Sequence, residues 1–192
     1  MKKVLFLFFI SFLILFVSCS KEDKKTETNK TSKVTTADFF KAVKDGKIDK
    51  VKEMISNDKT LVNAIDSSSG INETALGIVT FSGKKELTEL LIKNGANVNF
   101  QDAFGVAPLH GAARTNQLEV IKILLENKAD VNLPTTTGKE TPLHYAARYN
   151  NADVVKLLLD KGANKNALDA SGVSPLEAAK KENADNVIPL LK

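Results

Sequence analysis

From residue 35 onward, apolar residues recur three and four positions apart in short segments, and polar loops separate these segments. The clearest three are "ELTELLIK", "EVIKILLE" and "DVVKLLLD", which begin at Glu86, Glu119 and Asp153. Such spacing is typical of an amphipathic helix that buries one stripe of its surface. Two of these segments follow a shorter one that carries paired alanines, which let two helices approach closely. The pattern therefore predicts pairs of helices.

The helix pairs are copies of one unit. The leucines Leu76, Leu109, Leu143 and Leu176 lie 33, 34 and 33 residues apart. Around two of them the chain reads "PLHGAAR" and "PLHYAAR", while "NGANVN", "NKADVN" and "KGANKN" mark the other end of the unit. A fixed period of this length indicates a repeat architecture in which each unit packs on its neighbours.

Glycine and asparagine mark the ends of the predicted helices. The first helix of each pair ends at Gly46, Gly83, Asn116, Asn150 or Asn183. These two residue types best tolerate the left-handed backbone that closes a helix. Gly95 and Gly162 close second helices, whereas Lys128 at the equivalent position must adopt this conformation with a side chain. Pro189 is expected to remove a hydrogen bond within the last helix, so that the last repeat frays.

The copy "TPLHYAARYNNADVVKLLLDKGANKN" resembles the ankyrin repeat, because TPLH, two alanines, an aliphatic helix and a closing turn follow in that order. The resemblance covers about residues 35–192, with repeats at about 35–66, 67–101, 102–133, 134–168 and 169–192. It implies an all-α solenoid of about five helix-turn-helix repeats with β-hairpin-like tips. It also implies a non-enzymatic module for protein–protein interaction.

The two histidines, His110 and His144, could belong to an active site or to the repeat itself. Metal coordination needs ligand nitrogens about 2 Å from one ion, whereas equivalent positions on packed helices lie about 8–10 Å apart. The matching positions in two other repeats hold Gly77 and Glu177, which are no constant ligand set. The resemblance implies that the histidines hydrogen-bond backbone groups between repeats. We interpret them, with Gly95 and Gly162, as structural.

The remaining polar residues form no recognisable catalytic set. A Gly-rich phosphate loop is absent, and the serines 67–69 have no histidine or cysteine partner. We therefore expect no enzymatic activity, no cofactor and no metal. The tips of repeats two and four are longer than those of repeats three and five, and insertions often map to a binding face. A hydrolase or small-ligand protein that uses these long tips is the alternative of another class.

Aromatic and arginine side chains mark the candidate partner-binding surface, because such residues are typical interface hot spots. The candidates are Phe104, Tyr149, Tyr145, Arg148, Arg114 and Phe81. Phe104 falls on a hairpin tip, where the family usually has polar or small residues. The other five fall on or just after first helices, along what the resemblance implies is the concave side. Tyr145 and Phe81 could instead pack between repeats.

The N-terminus has the pattern of a secretion signal. Two lysines precede the apolar run Val4–Val17, which is too short for the roughly 20 apolar residues of a membrane span. The following "FVSCS" resembles a bacterial lipobox, although Phe16 replaces its usual aliphatic residue. We predict a lipoprotein signal peptide over residues 1–18 and lipid on Cys19. An ordinary signal with an incidental cysteine is the alternative.

Residues 19–34 are predicted to be a flexible tether, because Ser20–Lys33 contains no apolar residue. Without the leader and the tether, the chain has 20 basic and 20 acidic residues, so the net charge of +4 comes from its N-terminal part. This balance disfavours nucleic acid as a partner. We expect a monomer bound by its lipid to the cell envelope and recognising an unknown protein. Ser20 is not the aspartate of an inner-membrane retention signal, so we expect the periplasmic face of the outer membrane.

A more specific hypothesis for the same fold is an immunity or inhibitor protein that masks a toxin or an enzyme in the periplasm. It shares the predicted location and the predicted binding face. Only the kind of partner distinguishes it from a general interaction module.

Overall fold

The computed structural model describes residues 35–192; the predicted signal peptide, Cys19 and the tether lie outside the described residues. Within residues 35–192, ten α-helices form five consecutive pairs. The first helices are α1 (Thr36–Lys44), α3 (Ala75–Phe81), α5 (Pro108–Arg114), α7 (Pro142–Arg148) and α9 (Pro175–Lys181). The second helices are α2 (Ile48–Asn57), α4 (Lys85–Lys93), α6 (Leu118–Glu126), α8 (Ala152–Asp160) and α10 (Ile188–Leu191). The predicted all-α solenoid is confirmed.

The helix pairs stack through two apolar layers. First helices contact the next first helix along the stack, and second helices contact the next second helix. The repeated leucines Leu76, Leu109 and Leu143 are at most 2% exposed. The paired alanines of α5 and α7 are fully buried, which is consistent with close approach of their backbones. The period seen in the sequence is therefore the period of the core.

The ends of the helices have the backbone that their residue types predict. Asn116, Asn150 and Asn183 close first helices with φ of 60°, 57° and 55°. Lys128 closes α6 with φ of 68°, where Gly95 and Gly162 have φ of 90° and 88°. A residue with a Cβ in this region costs roughly 1–2 kcal/mol. At the turn after its second helix, repeat three therefore carries a local strain that repeats two and four, with glycine at this position, do not.

Asparagine side chains bind each repeat to the next along the return loops. Asn63 donates to the carbonyl of Gly95 (2.9 Å) and accepts from the backbone N–H of Asn97 (2.9 Å). Asn99 and Asn132 make the same pair of bonds one repeat further on, with distances of 2.8–3.2 Å. These bonds satisfy backbone groups just after the second helices, which would otherwise lack partners. The asparagine of each closing motif thus sets the spacing between repeats.

The tips protrude on the side of the first helices. Strands β1 (Ile65–Asp66) and β2 (Glu73–Thr74) pair antiparallel in the tip of repeat two, with Asp66 opposite Glu73. Neighbouring tips are joined by backbone bonds from Ala103 to Ile71 and from Ala170 to Gly138, both 2.8 Å. In repeat four Lys139, rather than the adjacent glycine, has the left-handed backbone (φ 54°). The tips therefore form a row that is held together from repeat to repeat.

The last repeat differs from its prediction. Pro189 lies in the first turn of the four-residue α10, where its missing N–H is not needed. The expectation that this proline removes a hydrogen bond within a longer helix was wrong, because the helix begins only at Ile188. Val187 and Leu191 are buried at this end of the stack. At the other end, a short 3₁₀-helix (Lys59–Asn63) follows α2. Across residues 35–192, every helix is too short or too polar to cross a membrane.

Candidate partner-binding face

The first helices and the tips form one face, which we call the inner face. Three of its large side chains are strongly exposed: Phe104 by 55%, Phe81 by 47% and Tyr149 by 44%. Phe104 lies on the tip of repeat three, Phe81 at the end of α3, and Tyr149 directly after α7. Exposed aromatic rings are unfavourable in water unless a partner covers them. The inner face therefore has the composition of an interaction surface.

Arg114 joins two of these rings. Its guanidinium carbon lies 5.8 Å from the ring centre of Phe81 and 5.1 Å from that of Tyr149. Both distances are within the range of a cation–π interaction. The side chain makes no ion pair with another residue in the part of the chain that the structure describes. Arg114 is thus held by aromatic faces while its donors stay available.

Tyr145 is less exposed than the other aromatic candidates. Its ring packs edge-on against the ring of His110, with centres 5.3 Å apart and an angle of 72°. Burial raises the pKa of the Tyr145 hydroxyl above its usual value. One edge of this side chain reaches the inner face, and the rest packs between repeats three and four.

Arg148 is engaged elsewhere. Its guanidinium donates to the carboxylate of Glu140, and both side chains are partly buried. Arg148 lines a separate depression of about 300 Å³ near the tip of repeat five, together with Asp169 and Lys181. The structure therefore brings five of the six candidates together or next to one another and sets Arg148 apart from them.

The inner face contains a groove of about 340 Å³ between the tips and the first helices of repeats two to four. Phe81, Phe104, Arg114 and Tyr145 line it, with the carboxylates of Glu73 and Asp102. Sequence reasoning missed both carboxylates. Only the fold brings strand β2 of one repeat beside the tip of the next. Asp102 begins the segment "DAFGVAP", which recurs as "DASGVSP" at Asp169, but this motif marks the turn of a tip rather than a groove.

Glu73 has an unusual environment for a carboxylate. Partial burial raises its pKa, and the nearby negative charges of Asp102 and Asp66 add to this, while Lys44 opposes it. Lys44 is itself bound to Asp66 at 2.7 Å, and that bond holds the pKa of Asp66 down at about 2. Glu73 makes no hydrogen bond or ion pair through its side chain among residues 35–192.

The histidines occupy one position in their repeats. The Nδ1 atom of His110 accepts from the N–H of Ala107 at 3.1 Å, and its Nε2 lies 3.1 Å from the carbonyl of Glu140 in the next repeat. His144 is held in the same way by the N–H of Thr141 (3.1 Å) and the carbonyl of Val173 (3.0 Å). Nδ1 is the acceptor, so Nε2–H is the donor.

Each histidine therefore caps its own helix and binds the next repeat. Asp38 and Glu177 take the equivalent capping position in repeats one and five, where they bind the backbone N–H of Thr35 and Ser174. Both ring nitrogens of His110 and His144 are used by backbone groups, which leaves neither free to bind a metal or act as a base. Within residues 35–192, no group of three or more metal-ligating side chains is close enough to hold an ion.

Comparison with known families decides what this architecture is. A family model described as ankyrin repeats matches residues 39–135 as three copies, and a single-repeat ankyrin model matches residues 139–170. The chain belongs to the ankyrin-repeat family. Ankyrin-repeat proteins generally act as non-enzymatic interaction scaffolds with protein partners.

Several known proteins are similar to part of the chain. An ankyrin repeat protein of Rickettsia bellii is 28% identical over 108 residues, which are 54% of this chain and 15% of that protein. Ankyrin repeat and SAM domain-containing protein 6 of Rattus norvegicus is 33% identical over 102 residues, 53% of this chain and 11% of that protein. Protein phosphatase 1 regulatory subunit 12A of Mus musculus is 36% identical over 66 residues, 34% of this chain and 6% of that protein. The chain spans a small part of each relative.

Proposed function

We propose that this ankyrin-repeat chain is a non-enzymatic module that binds a protein partner through its inner face. The observation that carries the proposal is the stacking of Arg114 on Phe81 and Tyr149, with Phe104 lining the same groove and all three rings strongly exposed. Tyrosine and arginine are enriched among residues that dominate binding energy. Arg114 is preorganised by stacking, so less side-chain entropy is lost when a partner binds.

The charge of the repeats favours protein over nucleic acid as the partner. Basic and acidic residues are balanced outside the leader and tether, and a nucleic-acid binder normally has a basic patch. The groove itself contains two carboxylates beside one arginine. A phosphate backbone would be repelled by these carboxylates. One relative is named as a regulatory subunit of a protein phosphatase. A regulatory subunit acts by binding another protein.

Catalysis by the long tips of repeats two and four is the less favoured hypothesis. Ser67 in the tip of repeat two donates its hydroxyl to the side chain of Asn72 at 2.8 Å, which is not a base. The histidines are buried and bound to backbone groups. The side chains of the long tips and the two histidines therefore support binding of a partner rather than catalysis.

The proposal extends to the location of the chain. We infer from the sequence that residues 1–18 direct secretion and that Cys19 carries lipid, which would place the repeats at the cell envelope. Ser20 after the cysteine favours the periplasmic face of the outer membrane over the inner membrane. An acyl chain contributes about 0.8 kcal/mol of membrane-binding free energy per buried methylene. More than one attached chain is enough to retain a soluble domain at the membrane.

Lipidation is tested by labelling cells with a clickable fatty acid. We expect the wild-type chain to be labelled and the Cys19→Ser variant to remain unlabelled, because this is the only cysteine in the sequence. Equal labelling of the two proteins would show that the lipid is not on Cys19. An unlabelled wild-type chain would favour an ordinary signal peptide.

Binding through the inner face is tested with exposed-ring variants. Phe104→Ala and Tyr149→Ala should each weaken binding to the protein recovered by the full chain in a pull-down by more than about 1 kcal/mol. Their stabilities should change by no more than about 0.5 kcal/mol, because both side chains are exposed. Calorimetric titration and chemical denaturation measure the two quantities.

The matched controls lie on the second helices. Lys122 pairs with Glu119 at 2.7 Å and Lys156 with Asp153 at 3.4 Å, and all four side chains are well exposed. Lys122→Ala and Lys156→Ala should leave binding and stability unchanged, since exposed ion pairs contribute little. Loss of binding in these controls with normal binding in the ring variants would move the site to the opposite face.

A further inference from the structure

The groove on the inner face has two aromatic walls and an open floor. Phe81 stands on the side of the helices and Phe104 on the side of the tips. The floor is open at Gly111, which stands where Ile78 and Tyr145 stand in the neighbouring repeats. A Cβ at Gly111 would lie 3.6 Å from the Phe81 side chain, which is an ordinary contact. Gly111 therefore leaves space in the groove, and its backbone conformation does not require a glycine.

The charge of the groove is unbalanced. Glu73 and Asp102 contribute two carboxylates, and Arg114 contributes one positive charge that is stacked on aromatic rings. One oxygen of Asp102 accepts from the N–H groups of Phe104 (2.8 Å) and Val106 (2.9 Å), so this carboxylate is fixed in place. The nearest lysine, Lys44, is already bound to Asp66. The lining thus has an excess of one negative charge.

A half-buried carboxylate without an ion pair is a costly arrangement for folding alone. Removing a charge from water is unfavourable unless a partner charge or hydrogen bonds replace the lost hydration. Glu73 has no hydrogen bond or ion pair of its own among the residues that the structure describes, and Lys44, which is bound to Asp66, acts on it only at longer range. A cation that entered the groove would supply the missing partner. Aromatic faces would add favourable contacts with its apolar stem and with its charge.

We propose that the groove takes a lysine or arginine side chain of the partner protein, with its apolar stem between Phe81 and Phe104 and its charged head at Glu73 and Asp102. This inference rests on the proposed function, since it names the chemistry that the inner face recognises. The volume of about 340 Å³ is at the small end of the usual range for ligand sites, so the groove accommodates one long side chain rather than a folded element.

An acidic side chain is the competing occupant, because the donors of Arg114 make no hydrogen bond or ion pair within residues 35–192. Arg114 is an exposed residue, whereas Glu73 is half-buried. An acidic group that entered the groove would approach two carboxylates to reach one guanidinium. Like charges without a compensating partner are unfavourable at short range. The charge balance therefore favours the basic occupant.

The test uses random peptides displayed on phage and selected on the full chain. We expect the enriched peptides to share a lysine or arginine next to an apolar residue. Binding of a synthetic copy should weaken about tenfold or more when that residue is changed to glutamine, and by a similar factor on Glu73→Gln. Combining both changes should cost little more than either alone, since the two groups act on each other.

Two further variants separate the groove from general effects of charge and folding. Gly111→Leu fills the floor and should abolish binding of the selected peptides without unfolding the chain. Glu126→Gln removes one negative charge from an exposed position of α6 and should bind them as the wild type does. Circular dichroism of each variant confirms that the repeats remain folded.

The outcomes distinguish the two proposals. Peptides that need Phe104 and Tyr149 but carry no basic residue, or that ignore Glu73→Gln, would overturn the basic-side-chain proposal and leave the inner face as the binding surface. Acidic peptides that depend on Arg114 would do the same. Peptides that bind Phe104→Ala and Tyr149→Ala normally would overturn the proposed function as well. Failure to enrich any peptide would count against the groove as a site.

Discussion

Replacing Gly105 with alanine is expected to lower the free energy of unfolding by about 2–4 kcal/mol. Two effects combine at this position in the tip of repeat three. The backbone has φ of 80°, which a residue with a Cβ rarely adopts. The added Cβ would also overlap the backbone nitrogen of Thr136 in the next tip, and a backbone atom cannot move aside as a flexible side chain can. Chemical denaturation measures the loss.

The equivalent glycine in the tip of repeat five provides the control. Gly172 lies in "DASGVSP", which matches "DAFGVAP" around Gly105, and it has φ of 73°. A Cβ there would meet nothing within 4 Å. Gly172→Ala should therefore cost only the backbone strain, roughly 1–2 kcal/mol. Equal losses in the two variants would show that the tip of repeat four moves away from the added methyl group without a cost in stability.

Acidification from pH 6.5 to pH 4 is expected to remove about 3 kcal/mol of stability through His110. Burial lowers the pKa of His110 from 6.5 to about 4, so the unfolded chain takes up a proton in this window and the folded chain does not. The stability contributed by the neutral ring is complete above pH 6.5 and is lost as the pH falls. Burial also lowers the pKa of His144, which acts in the same direction.

The variant His110→Gln isolates this contribution, because glutamine has no proton to gain. Its free energy of unfolding, measured by urea denaturation at several pH values, should be lower than that of the wild type at pH 7, and the difference should shrink by about 3 kcal/mol by pH 4. Asp66, with its pKa of about 2, loses its contribution only below pH 4. Glu73 has a raised pKa and acts in the opposite direction in both proteins. Parallel curves would show that His110 is not buried in its neutral form.

The sequence predicts the order of helices and turns well because each repeat has the same pattern of apolar and helix-closing residues. Apolar spacing marks the helices, and asparagine or glycine marks the left-handed ends, as at Asn116 and Gly162. Lys128 follows its repeat position and not its own preference, since the neighbouring repeats hold the loop in place. The prediction for Pro189 was wrong because the start of the last helix, at Ile188, is not marked by the residue pattern.

The groove could be predicted only in part. The aromatic and arginine residues stand out by type, and the repeat period places Phe81, Arg114 and Tyr149 on one side. Their mutual stacking follows from the distance between adjacent repeats. Glu73 and Asp102 lie 29 positions apart, and the only signal at either is the tip motif shared by Asp102 and Asp169, which does not point to a groove. Arg148 is also an arginine at the end of a first helix, but its ion pair with Glu140 holds it away from the other candidates.

Site-specific photo-cross-linking in living cells tests the central claim most directly. A photoreactive phenylalanine analogue would replace Phe104 or Tyr149 on the inner face, and Lys122 or Lys156 on the second helices. The account predicts that the two inner-face positions give the same covalent protein adduct and that the two outer positions give none. An adduct formed only at Lys122 or Lys156, or no adduct at any of the four positions, would contradict recognition of a protein through the inner face.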